Sequence, residues 1–279
     1  MKTEIPVDPA RLEFDHVTVG YNGRAVLEDI SFDVPHGAQV AVVGPNGAGK
    51  STLFKALVGL IPVRSGQIRI HSQALRHHQD CVAYIPQREE VDWRFPVTVW
   101  DVVMMGRLGK FGWFGRYSAD DRRMVDRALD QLGIADLAKN AIGELSGGQQ
   151  QRVFLARAVA QEPHILLMDE PFTGVDIRTQ EATLQLLETL KAQKVTVLVS
   201  THDLNMAAER FELTALLNHK LIAFGPAVEV FQPQNISAAF SHVIFVNGAA
   251  VVDDCCGGDE LEHDHDHTPA AVEQLAPKK

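Results

Sequence analysis

Three cysteines among 279 residues are too few for a disulfide framework, and their scarcity excludes a small secreted scaffold. Long apolar runs are missing as well. Val40–Val43 and Ile165–Met168 are far shorter than the ~20 residues that a membrane-spanning helix needs. The opening stretch MKTEIPVDPARLEF has no apolar signal core, so the chain is expected to stay in the cytosol. A basic excess is also absent. Lys and Arg number 26 against 36 Asp and Glu, a net charge of −10, which argues against an extended nucleic-acid face. Seven of the acids lie between Asp253 and His267 with no Lys or Arg among them, so the body is nearly neutral and the tail acidic. Hydrophobic residues make up 46%, enough for a sizeable core.

The pattern along the chain is α/β. Leu12–Val19 and Ala25–Val34 alternate apolar and polar residues, with Asn22-Gly23 as the turn between two antiparallel strands. Ala38–Val43 is a buried-strand run, followed by a Gly-rich loop and a helical pattern over Lys50–Leu60. Further strands are expected at GQIRIHS after Ser65, at Cys81–Ile85, at ILLMD, at VTVLVS, and late at Ala215–Phe224 and Val243–Val252. Helices are expected over Gln149–Ala160, Thr179–Ala192 and Leu204–Phe211. Short apolar strands alternating with helices indicate a mostly parallel sheet. The block from about 97 to 161 is helical and lies between two core strands, so it forms a subdomain beside the sheet. Residues 1–252 make one domain, and 253–279 read as a flexible acidic tail.

Gly44-Pro45-Asn46-Gly47-Ala48-Gly49-Lys50-Ser51 fits G-x-x-x-x-G-K-[ST], between a strand and a helix. Its glycines let backbone N–H groups curl around phosphate oxygens, and the helix N-terminus adds donors and dipole. Lys50 is expected to reach the β- and γ-phosphates and Ser51 to coordinate Mg²⁺, with Thr52 beside the α-phosphate. The strand Ile165–Met168 ends in Asp169-Glu170. Asp169 is the expected Mg²⁺ holder and Glu170 the general base for an attacking water.

Leu145-Ser146-Gly147-Gly148-Gln149 heads a helix 20 residues before Asp169 and resembles the signature of the ATP-binding cassette (ABC) family. The resemblance extends over residues 12–225. Tyr21 looks like its adenine-stacking aromatic, Gln87 like its strand-end glutamine that touches Mg²⁺ or water, and Gly174-Val175-Asp176 like its D-loop. His202 looks like its switch histidine, bonded to the γ-phosphate. The resemblance implies a P-loop NTPase core with an antiparallel β subdomain at the N-terminus and an inserted helical subdomain. It implies ATP and Mg²⁺ as cofactors. It further implies a homodimer holding each ATP between the phosphate loop of one copy and Ser146–Gln149 of the other.

Without a membrane segment, transport requires separate permease subunits. The resemblance puts their docking on the segment after Gln87, which here reads VDWRFPVTVWDVVMMGR. Aromatics continue in Phe111, Trp113, Phe114 and Tyr117. This segment and the short C-terminal region resemble importers of the manganese, zinc and iron-chelate type. That implies a peripheral subunit on the cytoplasmic face of a prokaryotic membrane, served by an external metal-binding protein, with no nucleic-acid partner. Siderophore or vitamin transport, and a soluble ABC ATPase of the iron–sulfur assembly kind, are the alternatives. The tail holds Cys255, Cys256, His263, His265 and His267, a donor set suited to a transition metal.

Overall fold

The computed structural model describes residues 12–75, 81–108, 117–240, 243–246 and 249–252. The tail from 253 on, with its candidate metal ligands Cys255, Cys256, His263, His265 and His267, lies outside them, as do Phe111, Trp113 and Phe114.

β1 (Leu12–Tyr21) and β2 (Arg24–Val34) pair antiparallel through the turn at Asn22-Gly23, where both residues have positive φ. That is the turn geometry Asn-Gly favours. β3 (Gln39–Val43) follows, then α1 (Lys50–Leu57), β4 (Val63–Ile70) and β5 (Gln73–Ala74). β6 (Val82–Ile85) precedes the helical block of α2 (Val99–Met105), α3 (Ala119–Gln131) and α4 (Gly147–Ala160). The chain continues through β7 (Ile165–Asp169), α5 (Ile177–Ala192), β8 (Thr196–Thr201), α6 (Leu204–Arg210), β9 (Leu213–Asn218) and β10 (Lys220–Gly225). Last come α7 (Ala227–Val230), α8 (Pro233–Ala239), β11 (Val243–Val246) and β12 (Ala249–Val252).

One sheet has the order β2-β1-β4-β5 and is antiparallel; a second runs β10-β9-β3-β8-β7-β6 and is parallel except at β10; and β11 and β12 form a separate antiparallel pair in place of the single late strand expected over Val243–Val252. Every residue of β3, β7 and β8 is buried, because both faces of this sheet are covered. The two-residue period of β3 divides its side chains between two cores. Val40 and Val42 pack with Leu12, Phe14 and Phe54 under the antiparallel sheet. Ala41 and Val43 pack with Val103, Val153 and Leu155 under the helical block.

Each helix of that block starts with a reciprocal cap: Thr98 with Asp101, Ser118 with Asp121, and Ser146 with Gln149. Buried Arg107, just after α2, ties α3 to the C-terminal end of α4. It donates to Asp121 (3.1 Å), Glu162 (2.8 Å) and the Ala160 carbonyl (2.7 Å). No described helix is long and apolar enough to cross a membrane.

The expected strand over Ala215–Phe224 is instead a hairpin. The chain reverses at His219, whose φ is +58°. An apolar tally runs straight through Asn218-His219, but that pair supplies a turn. The short helices α7 and α8 are not anticipated from the sequence.

Candidate functional site

The phosphate loop forms where buried β3 ends and α1 begins. Two of its glycines are fixed by close approach. A Cβ on Gly44 would lie 2.1 Å from the Leu217 carbonyl oxygen, and one on Gly49 would lie 2.5 Å from Leu27 Cδ2. Gly49 also has φ +100°, which only glycine adopts readily. The first intrahelical bond of α1 is Leu53 N–H to Gly49 O at 2.9 Å, so the helix ladder does not use the N–H groups of Ser51 and Thr52. His219 holds the loop from behind. Its N–H donates to Ala48 O (3.0 Å), and its carbonyl accepts from Glu28 N–H (2.8 Å).

Lys50 is 6% exposed, and its Nζ donates to the carbonyls of Gly44 (2.8 Å) and Pro45 (3.2 Å). It stands 3.9 Å from Glu170 Oε1. The parallel register places Asp169 opposite Ser200. Ser200 Oγ donates to Asp169 Oδ1 (2.5 Å) and accepts from the Glu170 N–H (2.9 Å), so one hydroxyl fixes both acids. Tyr84 donates to Asp169 Oδ2 at 3.3 Å. Burial, reinforced by the nearby Asp169 carboxylate, pushes the Tyr84 phenol far above its usual range, so it stays a donor.

Glu170 has φ +46°, a backbone conformation that costs a non-glycine residue and recurs at functional positions. Its Oε2 accepts from Thr173 Oγ1 (3.2 Å) and lies 3.7 Å from His202 Nδ1. These elements enclose a cavity of about 670 Å³. Tyr21, Val26, Asn46 to Thr52, Gln87, Glu170, Thr173 and His202 bound it.

Most of the sequence-derived set therefore meets in one place. Asp169 sits behind the wall, 2% exposed, and Gly44 and Pro45 contribute carbonyls to Lys50. Ser146, Gly147, Gly148, Gln149 and Asp176 are not among the bounding residues. They form a second cluster at the start of α4. Ser146 N–H donates to Gln149 Oε1 at 2.9 Å. Asp176 caps α5 and accepts from the N–H and hydroxyl of Thr179, both at 3.0 Å. The Thr179 N–H holds the Asp176 carboxyl below its usual range.

A Cβ on Gly148 would lie 2.2 Å from Thr179 Oγ1 and 2.6 Å from Asp176 Oδ2. Gly148→Ala is expected to lower unfolding stability by about 1–3 kcal/mol, because Thr179 is held in place and cannot step aside. Urea denaturation measures this, and an unchanged midpoint refutes the close packing.

Five bracing or lining residues were not found from sequence: Val26, Tyr84, Thr173, Ser200 and His219. Only Ser200 left a signal there, as the polar end of an apolar strand.

The sequence pattern of the family described as ABC transporter matches residues 27–173. The manganese transport system ATP-binding protein MntB of Bacillus subtilis is 47% identical, over 82% of this chain and 92% of its own length. The zinc transport system ATP-binding protein TroB of Treponema pallidum is 44% identical, over 85% of this chain and 89% of its own. A solved ATP-binding subunit of an ABC transporter superposes with a TM-score of 0.68 at 28% identity, over 78% of this chain and 91% of that one. Phosphate loop, acidic strand end and capped signature helix thus occur together in a chain that belongs to the ABC transporter family, as one of its ATP-binding ATPase domains.

Proposed function

We propose that this chain is the ATP-hydrolysing subunit of an importer for a transition-metal ion (manganese, zinc or iron), coupled to separate permease subunits. Two sandwiched ATP molecules join two copies head to tail. The observation that carries the reading is the division of the donors. One chain's cavity gathers the phosphate loop, Gln87, Glu170 and His202, while the N–H groups at the start of α4 lie outside its boundary. A second copy supplies them in the two-fold arrangement. The cargo class follows that of the relatives, two of which are manganese and zinc transport ATPases.

Within this reading Tyr21, 46% exposed, stacks on adenine. The Lys50 ammonium and the N–H groups of Gly47, Gly49, Ser51 and Thr52 hold the phosphates, while the Ala48 N–H shapes the loop by donating to the Pro45 carbonyl. Ser51, Gln87 and Asp169 offer a hydroxyl, an amide carbonyl and a carboxylate, the hard oxygen donors that Mg²⁺ takes. Mg²⁺, when bound, neutralises phosphate charge. Glu170 accepts the proton of the attacking water, and His202 orients that water and contacts the γ-phosphate. The subunit works at the cytoplasmic face, with an external binding protein delivering the metal.

The permease docks beside α2. Phe95, Met105, Leu108 and Tyr117 are exposed there, at 59%, 38%, 52% and 42%. Trp93 packs on Phe154 of α4 with ring centroids 5.2 Å apart and donates Nε1–H to the Arg88 carbonyl. A push on this segment therefore reaches the signature helix.

Reconstitution with the permease in proteoliposomes tests the reading. ATP-dependent uptake of Mn²⁺, Zn²⁺ or Fe²⁺ is expected, and Ser146→Arg is expected to abolish both ATP-driven dimerisation and uptake. Uptake of a chelate alone, or full-rate hydrolysis by a Ser146→Arg monomer, overturns it.

A further inference from the structure

A pair of histidines lies at the other end of β7 from Asp169, clear of the nucleotide cavity. The β4–β5 hairpin pairs Ile70 with Gln73, and its two central residues, His71 and Ser72, have φ of +52° and +61°. Two left-handed centres define the tight turn for which Asn-Gly is the favoured sequence. His and Ser adopt it at a conformational cost, and strain of this kind points to a function for the side chain it delivers. What it delivers is the His71 ring, whose Nε2 stands 3.0 Å from His164 Nδ1. The ring centroids are 5.1 Å apart and the planes meet at 83°.

His164 is fixed by its backbone. Its N–H donates to Cys81 O (2.9 Å), and its carbonyl accepts from Thr196 N–H (3.0 Å). The His164 ring is exposed and His71 half-buried, so an ion can reach both from solvent.

We propose that His71 and His164 form a two-imidazole site for a transition-metal cation of the Zn²⁺ class, clamping the antiparallel sheet to the parallel one. Zn²⁺ binds imidazole nitrogen at about 2.0–2.1 Å, and tetrahedral geometry then sets two such nitrogens about 3.3 Å apart. The 3.0 Å found here must open slightly, and each ring must turn so that both lone pairs meet on the ion instead of facing each other. Without metal, one proton bridges the two nitrogens. The metal takes its place once the donor ring carries that proton on its other nitrogen, and neither ring loses a proton overall. Among the described residues no three His, Cys, Asp or Glu side chains converge, so the two imidazoles alone carry the assignment. Affinity is accordingly below that of a closed four-ligand site. Nitrogen donors favour Zn²⁺ over Mn²⁺ or Mg²⁺, which prefer oxygen. The site does not depend on which cargo the transporter carries.

The test uses the full-length chain with Cys255 and Cys256 changed to Ser and His263, His265 and His267 to Ala, so that the tail does not compete. ZnCl₂ is titrated calorimetrically into this background, into its His71→Asn form and into its His164→Ala form. Asn suits the left-handed turn and removes the ring, so His71→Asn keeps the hairpin. One equivalent of Zn²⁺ is expected to bind the background, with affinity falling by an order of magnitude or more in each variant. Excess Zn²⁺ is expected to raise the melting temperature of the background only. No Zn²⁺ binding by the background, isotherms unaffected by either substitution, or equally tight MnCl₂ binding would overturn the assignment.

Discussion

Glu170→Gln is expected to leave ATP binding intact and to cut turnover by about 10²–10⁴-fold, the usual contribution of a positioned general base. The amide has the size of the carboxylate and still accepts from Thr173 Oγ1, which lies 3.2 Å from Oε2. The strained backbone is also retained, because the Ser200 hydroxyl holds the Glu170 N–H at 2.9 Å rather than the side chain. What disappears is the capacity to take a proton. A negative charge facing the phosphates disappears with it, so nucleotide affinity is expected to stay equal or rise. With hydrolysis blocked, the proposed ATP-joined dimer is expected to persist. Phosphate release and light scattering in the presence of ATP read the two effects. Wild-type turnover, or a variant that stays monomeric with ATP, rejects the general-base role.

The parts of this site that were legible in the sequence are the local ones. An apolar run, then glycines, then Lys50-Ser51 at a helix start is a contiguous signal, and the structure has Val43, the loop and α1 in that order. The head of α4 was legible too, since Leu145–Gln149 marked it, but the structure starts the helix at Gly147 rather than Gln149, under a cap shared by Ser146 and Gln149. What escaped was set by register between distant segments. Ser200 reaches Asp169 because β8 lies beside β7, and Tyr84 does so from β6 on the other side. His219 braces Ala48 only because β9 and β3 are neighbours, a contact across most of the chain. Hydrophobic periodicity identifies a strand but not its neighbour, so the residues that hold the acids and the loop rigid became visible only with the sheet order.

Lys50→Ala separates the two halves of the chemistry from the opposite side. Where Glu170→Gln spares binding and removes turnover, Lys50→Ala is expected to weaken ATP binding itself and to lose hydrolysis in consequence. The ammonium is held by two main-chain carbonyls of the loop, at 2.8 and 3.2 Å, so its position is fixed by the fold. A hydrogen bond from a charged group is worth about 1.5–3 kcal/mol, which corresponds to a roughly 10–150-fold rise in Kd. The loss is expected to be larger for ATP than for AMP, because the proposed role of Lys50 is to reach the β- and γ-phosphates. Stability is expected to fall by about 1–3 kcal/mol, since the Gly44 and Pro45 carbonyls lose their charged donor, while the His219 brace stays intact. Fluorescent-nucleotide titration with ATP and AMP, alongside thermal melting, measures each of these quantities. A Kd for ATP unchanged in a folded variant would mean that the buried ammonium serves the loop alone, and the assignment of Lys50 to the phosphates would fall.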